Sequence, residues 1–151
     1  MPPNRRGYTL LEIVITLGII TILLAITLVL SNPGKQFSKA RNTERWSEVN
    51  IIVNAIGQNI SDNRGQFACV TGAAPTSSIK MASATSTYNI APCLVPTYLV
   101  IMPYDPTATS SHYVSNSDYD TGYFILRNAT SGRITVSAPS AELGEAISAT
   151  R

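Results

Sequence analysis

The residue whose chemistry stands out is Glu12. From Tyr8 to Leu30 the chain runs for 23 residues with a single charge, and Glu12 carries it. A charged side chain at the centre of a bilayer costs about 2.5–3.5 kcal/mol, so an acid in such a run marks a function. Arg5 and Arg6 precede the run, and Gly7 stands at the border between the polar and apolar stretches. Glu12 lies four residues after Tyr8, one helical turn away. A cut between Gly7 and Tyr8 would free an α-amino group, which ordinarily titrates near about 7.7–8.0 and so is cationic at neutral pH. An ammonium and a carboxylate are each costly in hydrocarbon and become tolerable together. Thr9, Glu12 and Thr16 fall at i, i+3 and i+7 and form one polar stripe. The two threonine hydroxyls have the alternative of bonding to their own helix.

The element that must carry these residues is a helix. Its 23 residues span about 34 Å, enough to cross a bilayer core. An ordinary cleaved secretory signal has a 7–15-residue apolar core and an A-x-A-like site. This run is far longer, carries an acid in its first turns and has no such site near Ser31. A plain single-pass anchor would explain the length but neither Glu12 nor Gly7. About 120 residues remain beyond the run, one small domain. Charged residues make up 13% of the chain, against about 25% in ordinary soluble proteins. The net charge is +2, from 11 basic and 9 acidic residues; without Arg5 and Arg6 it is 9 and 9. This balance has no clustered basic face, so no specific nucleic-acid partner is expected.

The stretch Arg5-Arg6-Gly7-Tyr8-Thr9-Leu10-Leu11-Glu12-Ile13 resembles the class III prepilin signal of type IV pilins and type II secretion pseudopilins. The resemblance covers roughly residues 1–30 and rests on a fixed order: basic leader, glycine, aromatic, glutamate, long apolar run. It implies an α+β fold, with a long N-terminal helix packed on a small antiparallel head. It also implies a seven-residue leader (1–7), cleavage after Gly7 by a membrane-embedded prepilin peptidase, and N-methylation of Tyr8. Glu12 would be the assembly residue, pairing with the freed amine of a neighbouring copy when helices stack side by side and so setting their axial stagger, and residues 8–30 the transmembrane and fibre-core helix. The implied partners are further copies of the chain, the prepilin peptidase, an assembly platform with its ATPase, and the inner membrane. The chain would sit as a single-pass inner-membrane protein before assembly and on the cell surface after it. One departure is that no proline lies between Tyr8 and Leu30, where many type IV pilins have one.

Orientation is contested by the charges. Lys35, Lys39, Arg41 and Arg45 follow the apolar run, and counted over short flanks they would place the C-terminal side in the cytoplasm. The family places it outside. So does the pair Cys69 and Cys93, which suits an oxidising space. There the pair reads as one disulfide, worth about 3–4 kcal/mol in the chain-entropy model.

Ser31-Asn32-Pro33-Gly34 predicts a kink or break, because Pro33 removes a donor and biases Asn32 out of the α region. Residues 31–62 then hold an amphipathic helix. Val49, Ile52, Val53, Ile56 and Ile60 form its apolar stripe, with Arg45, Glu48, Asn54 and Asn59 on the polar side and Arg41 and Glu44 pairing locally. Asn63-Arg64-Gly65 ends it. The head fills 63–151, with a variable loop over 70–96. Pro103, Asp105 and Pro106 make a turn that resembles the segment before the sheet in major pseudopilins. Three strands follow, His112 to Ser115, Gly122 to Arg127 and Arg133 to Ala138, and a covering tail from Pro139.

The head offers weak sites. Asp118 and Asp120 are a weak calcium candidate, since calcium takes 6–8 oxygens and only two carboxylates are visible; otherwise no metal is expected. His112 is the only histidine, so no catalytic triad is available and neither enzyme activity nor a cofactor is expected. Asn59-Ile60-Ser61 and Asn128-Ala129-Thr130 match the N-glycosylation pattern. The tyrosines of the second half suit either adhesion or packing. The best reading is a type IV pilin serving adhesion, motility or uptake. The alternatives are a pseudopilin or minor pilin of a secretion or DNA-uptake system, and a membrane-anchored extracytoplasmic binding domain that never polymerises.

Overall fold

A computed structural model describes residues 7–151. The fold is α+β. The chain divides into two compact units, 1–37 and 38–151. The first unit holds helix α1, Leu10–Ser31, and the start of helix α2, Pro33–Asp62. Between the two helices, Asn32 is left-handed (φ 38°, ψ 74°), so the helical hydrogen-bond ladder is interrupted where Pro33 supplies no donor. Pro33 then takes the first helical position, where its fixed φ is no penalty.

The second unit is a five-stranded antiparallel sheet packed on α2. Its strands are β1 (Ile79–Ala82), β2 (His112–Ser115), β3 (Asp118–Arg127), β4 (Ile134–Ala138) and β5 (Ile147–Thr150), and a short helix α3 (Ala91–Leu94) precedes β2. The order is β1-β3-β4-β5. The ten-residue β3 is the centre. One edge pairs with β1 over Asp120 to Ile125, while the other pairs with β2 at 118–120 and with β4 at 124–127. The expected three strands are therefore a correction to five. β1 and α3 lie inside the stretch expected to be a variable loop (70–96), and the expected covering tail supplies β5. Both strands are four residues long, too short to announce themselves by pattern. The hairpin between β2 and β3 also turns earlier than expected.

The core is where the α2 stripe meets the sheet. Val49, Ile52, Val53 and Ile56 are buried against Met81, Tyr123, Ile125, Ile134 and Val136. The polar side of α2 needs correcting. Arg45 and Asn59 are buried, at 0% and 4% exposure. Both lie on the stripe: Arg45 precedes Val49 by four residues and Asn59 follows Ile56 by three, the spacings that share a helix face. Asn59 is spent on the backbone of Ala68, accepting from its N–H at 2.9 Å and donating to its carbonyl at 3.0 Å, with a further bond to the Cys93 carbonyl at 3.3 Å. It thus ties both ends of the Cys69–Cys93 disulfide to α2.

Arg45 organises the other end of the unit. Its guanidinium is bidentate to Asp105, Nε to Oδ2 at 2.7 Å and Nη2 to Oδ1 at 3.1 Å, with both side chains fully buried. Nη2 also donates to the Thr107 hydroxyl, and Nη1 donates to Asn42 Oδ1 at 2.8 Å. Asp105 is placed by β3. Its N–H donates to the Thr121 carbonyl at 2.8 Å, in the gap between the β2 and β4 pairings. Gly122 makes that approach feasible: it has φ +72°, and a Cβ there would lie 2.7 Å from Ala108 Cβ and 3.0 Å from Asp105 Cβ. Breaking a buried ion pair by removing one partner strands the other charge, at a cost of about 3–5 kcal/mol. Arg45→Ala should therefore lower the unfolding free energy of the disulfide-intact chain by about that amount. Denaturant melts check this, and a loss below about 1 kcal/mol, the level of an exposed pair, would contradict it.

Candidate processing and assembly site

The N-terminal site is built by one cap. Thr9 is extended (φ −79°, ψ 153°), and its hydroxyl accepts the Glu12 N–H at 3.2 Å. That bond satisfies one of the orphan donors of the first turn and starts α1 at Leu10. Gly7 and Tyr8 consequently lie outside the helix, exposed and without secondary structure. Arg5 and Arg6 of the expected leader lie outside the described residues. Nothing described lies within 4 Å of where a Gly7 Cβ would stand, so no packing among the described residues requires glycine there.

Glu12 sits in the first turn of α1, where the aligned peptide dipoles favour an anion. Among the described residues it enters no ion pair. Thr16 donates to the Ile13 carbonyl at 2.9 Å, and Thr21 and Thr27 bond to Gly18 and Leu24 in the same way. The threonine hydroxyls are thus engaged by their own helix, which leaves Glu12 as the ionisable group of the stripe. Leu10–Leu30 is long and apolar enough to cross a membrane, with mean hydropathy 3.0. Its large side chains are exposed, from 47% at Ile13 to 83% at Leu10. A monomer in water does not leave an apolar surface of that extent bare.

The structure separates the weak candidates of the head. Asp118 meets His112 (Nε2 to Oδ1, 3.1 Å) on the exposed hairpin, and Asp120 is paired with Lys80 across β1 and β3. The two carboxylates of the calcium candidate therefore have separate partners. Among the described residues no group of three or more metal-ligating side chains forms. Asn59 is buried with its amide spent. Asn128 is exposed, and its side-chain Oδ1 accepts the N–H groups of Thr130 and Ser131 at 2.9 Å each. Tyr119 and Tyr123 are core residues, at 1% and 0% exposure.

Sequence reasoning missed one charged cluster. Arg41 does not pair with Glu44; it grips Glu142, with Nε and Nη2 each at 2.6 Å from a carboxylate oxygen. Arg45 Nη1 reaches the same carboxylate at 3.1 Å. Asn42 and the Glu142 backbone exchange two hydrogen bonds, at 2.8 and 3.0 Å. About a hundred residues separate these partners, so no local pattern signals them. The Arg41 hydrogen bonds, joined by Arg45 and Ser38, hold the Glu142 carboxyl at about 2, below its ordinary 4.5. For Asp105, burial pushes upward, but the Arg45 guanidinium and the Thr107 and Ala108 N–H groups together bring it below the usual range. Glu48, half-buried and accepting from the Tyr123 hydroxyl, is pushed up by burial.

A carboxylate held low in the fold stabilises it above its unfolded pKa and loses that contribution as pH falls through the folded value. The Glu142 contribution is therefore complete above pH 4.5 and fades toward about 2. Glu48 acts in the opposite sense, since its raised carboxyl favours the fold as it protonates. Thermal melts of the full chain in detergent between pH 2 and 7 should show a falling acid limb that is shallower in Glu142→Gln. An identical limb in that variant would remove Glu142 as a cause.

No curated protein and no solved structure matches the chain. Residues 2–28 match the model of the prokaryotic N-terminal methylation motif, the class III prepilin signal of type IV pilins and pseudopilins.

Proposed function

We propose that this protein is a pilin, a non-enzymatic structural subunit that polymerises through α1 after prepilin peptidase removes residues 1–7. The observation that carries the reading is the site at the start of α1. A glycine with nothing described within 4 Å of its Cβ position adjoins an exposed Tyr8 outside the helix, and Glu12, with no ion-pair partner among the described residues, lies in the first turn of an exposed apolar helix. A small residue at the border is what a peptidase that reads the chain in extended form would select. Cleavage would leave a cation on Tyr8, and methylation would keep it cationic. In the membrane, α1 is covered by lipid; in a fibre it is covered by other copies of α1. Glu12 of one subunit then pairs with the Tyr8 amine of its neighbour, and the desolvated pair fixes which stagger is allowed. A misplaced copy would leave both charges bare in hydrocarbon. The assembly platform and its ATPase supply the work of extraction from the inner membrane. The disulfide-closed head is carried to the cell surface.

Mass spectrometry of the mature chain tests the cut: a methylated Tyr8 N-terminus is expected, and an intact Met1 would overturn the reading. Gly7→Val should leave the leader attached. Glu12→Ala should be cleaved and inserted normally while assembly falls by at least about tenfold, the equivalent of 1.4 kcal/mol per contact. Fibres of wild-type abundance from Glu12→Ala would remove the pairing role.

A further inference from the structure

Helix α2 carries two complementary faces on opposite flanks of its packed stripe, both within the unit 38–151. On one flank, Glu44, Glu48 and Ile51, at i, i+4 and i+7, line an open groove of about 650 Å³ with Val100, Ile101 and Tyr104 of the segment before β2. The groove is apolar and unfilled in the chain itself: Val100 is 88% exposed and Ile101 57%. Its two acids enter no ion pair among the described residues. On the other flank, Lys39, Thr43 and Trp46 share the same i, i+4, i+7 spacing. Lys39 also has no ion-pair partner among the described residues, and Trp46, the only tryptophan of the chain, is 40% exposed.

We propose that the Glu44–Glu48 groove is a docking site for the Lys39–Trp46 face of a second copy of this chain. The charges argue for that occupant: an acidic rim around an apolar floor meets a face that carries a lysine and, two turns on, an exposed indole. Trp is the residue type most suited to such a pocket, with a large apolar body and one N–H to give to an acceptor. The chain cannot satisfy its own groove. Trp46 and Glu48 are two residues apart, about 200° around the helix axis, and point to different sides. The contact is therefore heterologous, one face of a copy against a different face of the next. Contacts of that type build open helical filaments when their rotation does not close into a ring, whereas a self-complementary patch closes a dimer. The inference rests on the polymer reading and adds to it a contact between heads, independent of Glu12.

Placing p-benzoylphenylalanine at position 46 of the full chain and irradiating cells that assemble it tests the contact. The expected product is a covalent dimer whose cross-link maps to residues 99–106 or 44–51 of the second copy. Glu44→Lys should lower its yield by about tenfold, and adding Lys39→Glu should restore it by returning opposite charges to the two faces. Glu44 and Lys39 are both exposed, so wild-type thermal melting of each variant is the control for folding. A cross-link that maps elsewhere in normal assemblies overturns the docking site and leaves the polymer reading standing. An unchanged yield in Glu44→Lys also overturns it. Absence of any assembly from the correctly cleaved wild-type chain overturns both.

Discussion

The buried guanidinium of Arg45 is the interaction on which the head depends. A charge with no exposed surface must have every donor answered, and the fold is arranged to answer them. Asp105 arrives because Gly122 lets the 105–108 loop press against the middle of β3. Asn42 comes from the same helix one turn earlier, and Glu142 from the segment between β4 and β5. Among the described residues every buried side-chain polar atom has a partner. Loop, tail and helix are thus held in register by one planar group whose fork geometry accepts few arrangements. At the opposite end of the unit, Asn59 performs a related task with backbone groups beside the disulfide.

The head is self-sufficient in this sense and α1 is not. Its apolar side chains need lipid or other helices, and its single acid has no ion-pair partner among the described residues. That asymmetry fits the proposed pilin, whose helix would gain its partners on assembly. The membrane anchoring implied by the apolar helix and the prepilin signal needs nothing from the head. In the same way, the polar network of the head needs nothing from the membrane.

Much of the N-terminal part was legible because its information is local. The glycine at the border, the acid one turn on and the run of apolar residues are all read within a few positions of one another, whereas the cap by Thr9, read as part of the helix's polar stripe, came from the structure. The break before Pro33 follows from proline's missing N–H. The apolar stripe of α2 was legible too, but its polar members were misassigned. Arg45 and Asn59 were placed on the outer side by their chemistry, although their spacing from Val49 and Ile56 puts them inside. When type and spacing disagree on a helix, spacing decides the direction of the side chain, and the buried polar group then marks a partner to be found.

The sequence by itself determined that this protein carries a class III signal on a membrane-length helix, followed by an amphipathic helix and an α+β head. The signal was read from the resemblance of residues 5–13 to a known motif, and the helices and strands from composition and from periodicities of 2 and 3.6 residues, which are written along the chain. Only the tertiary structure decided that β1 and β5 complete the sheet, that Arg41 answers Glu142 rather than Glu44, and that Asp118 and Asp120 have different partners. These are pairings between residues up to about a hundred positions apart, and they become neighbours only after the core has closed. Short strands and surface charges have no strong preference of their own, so packing chooses for them.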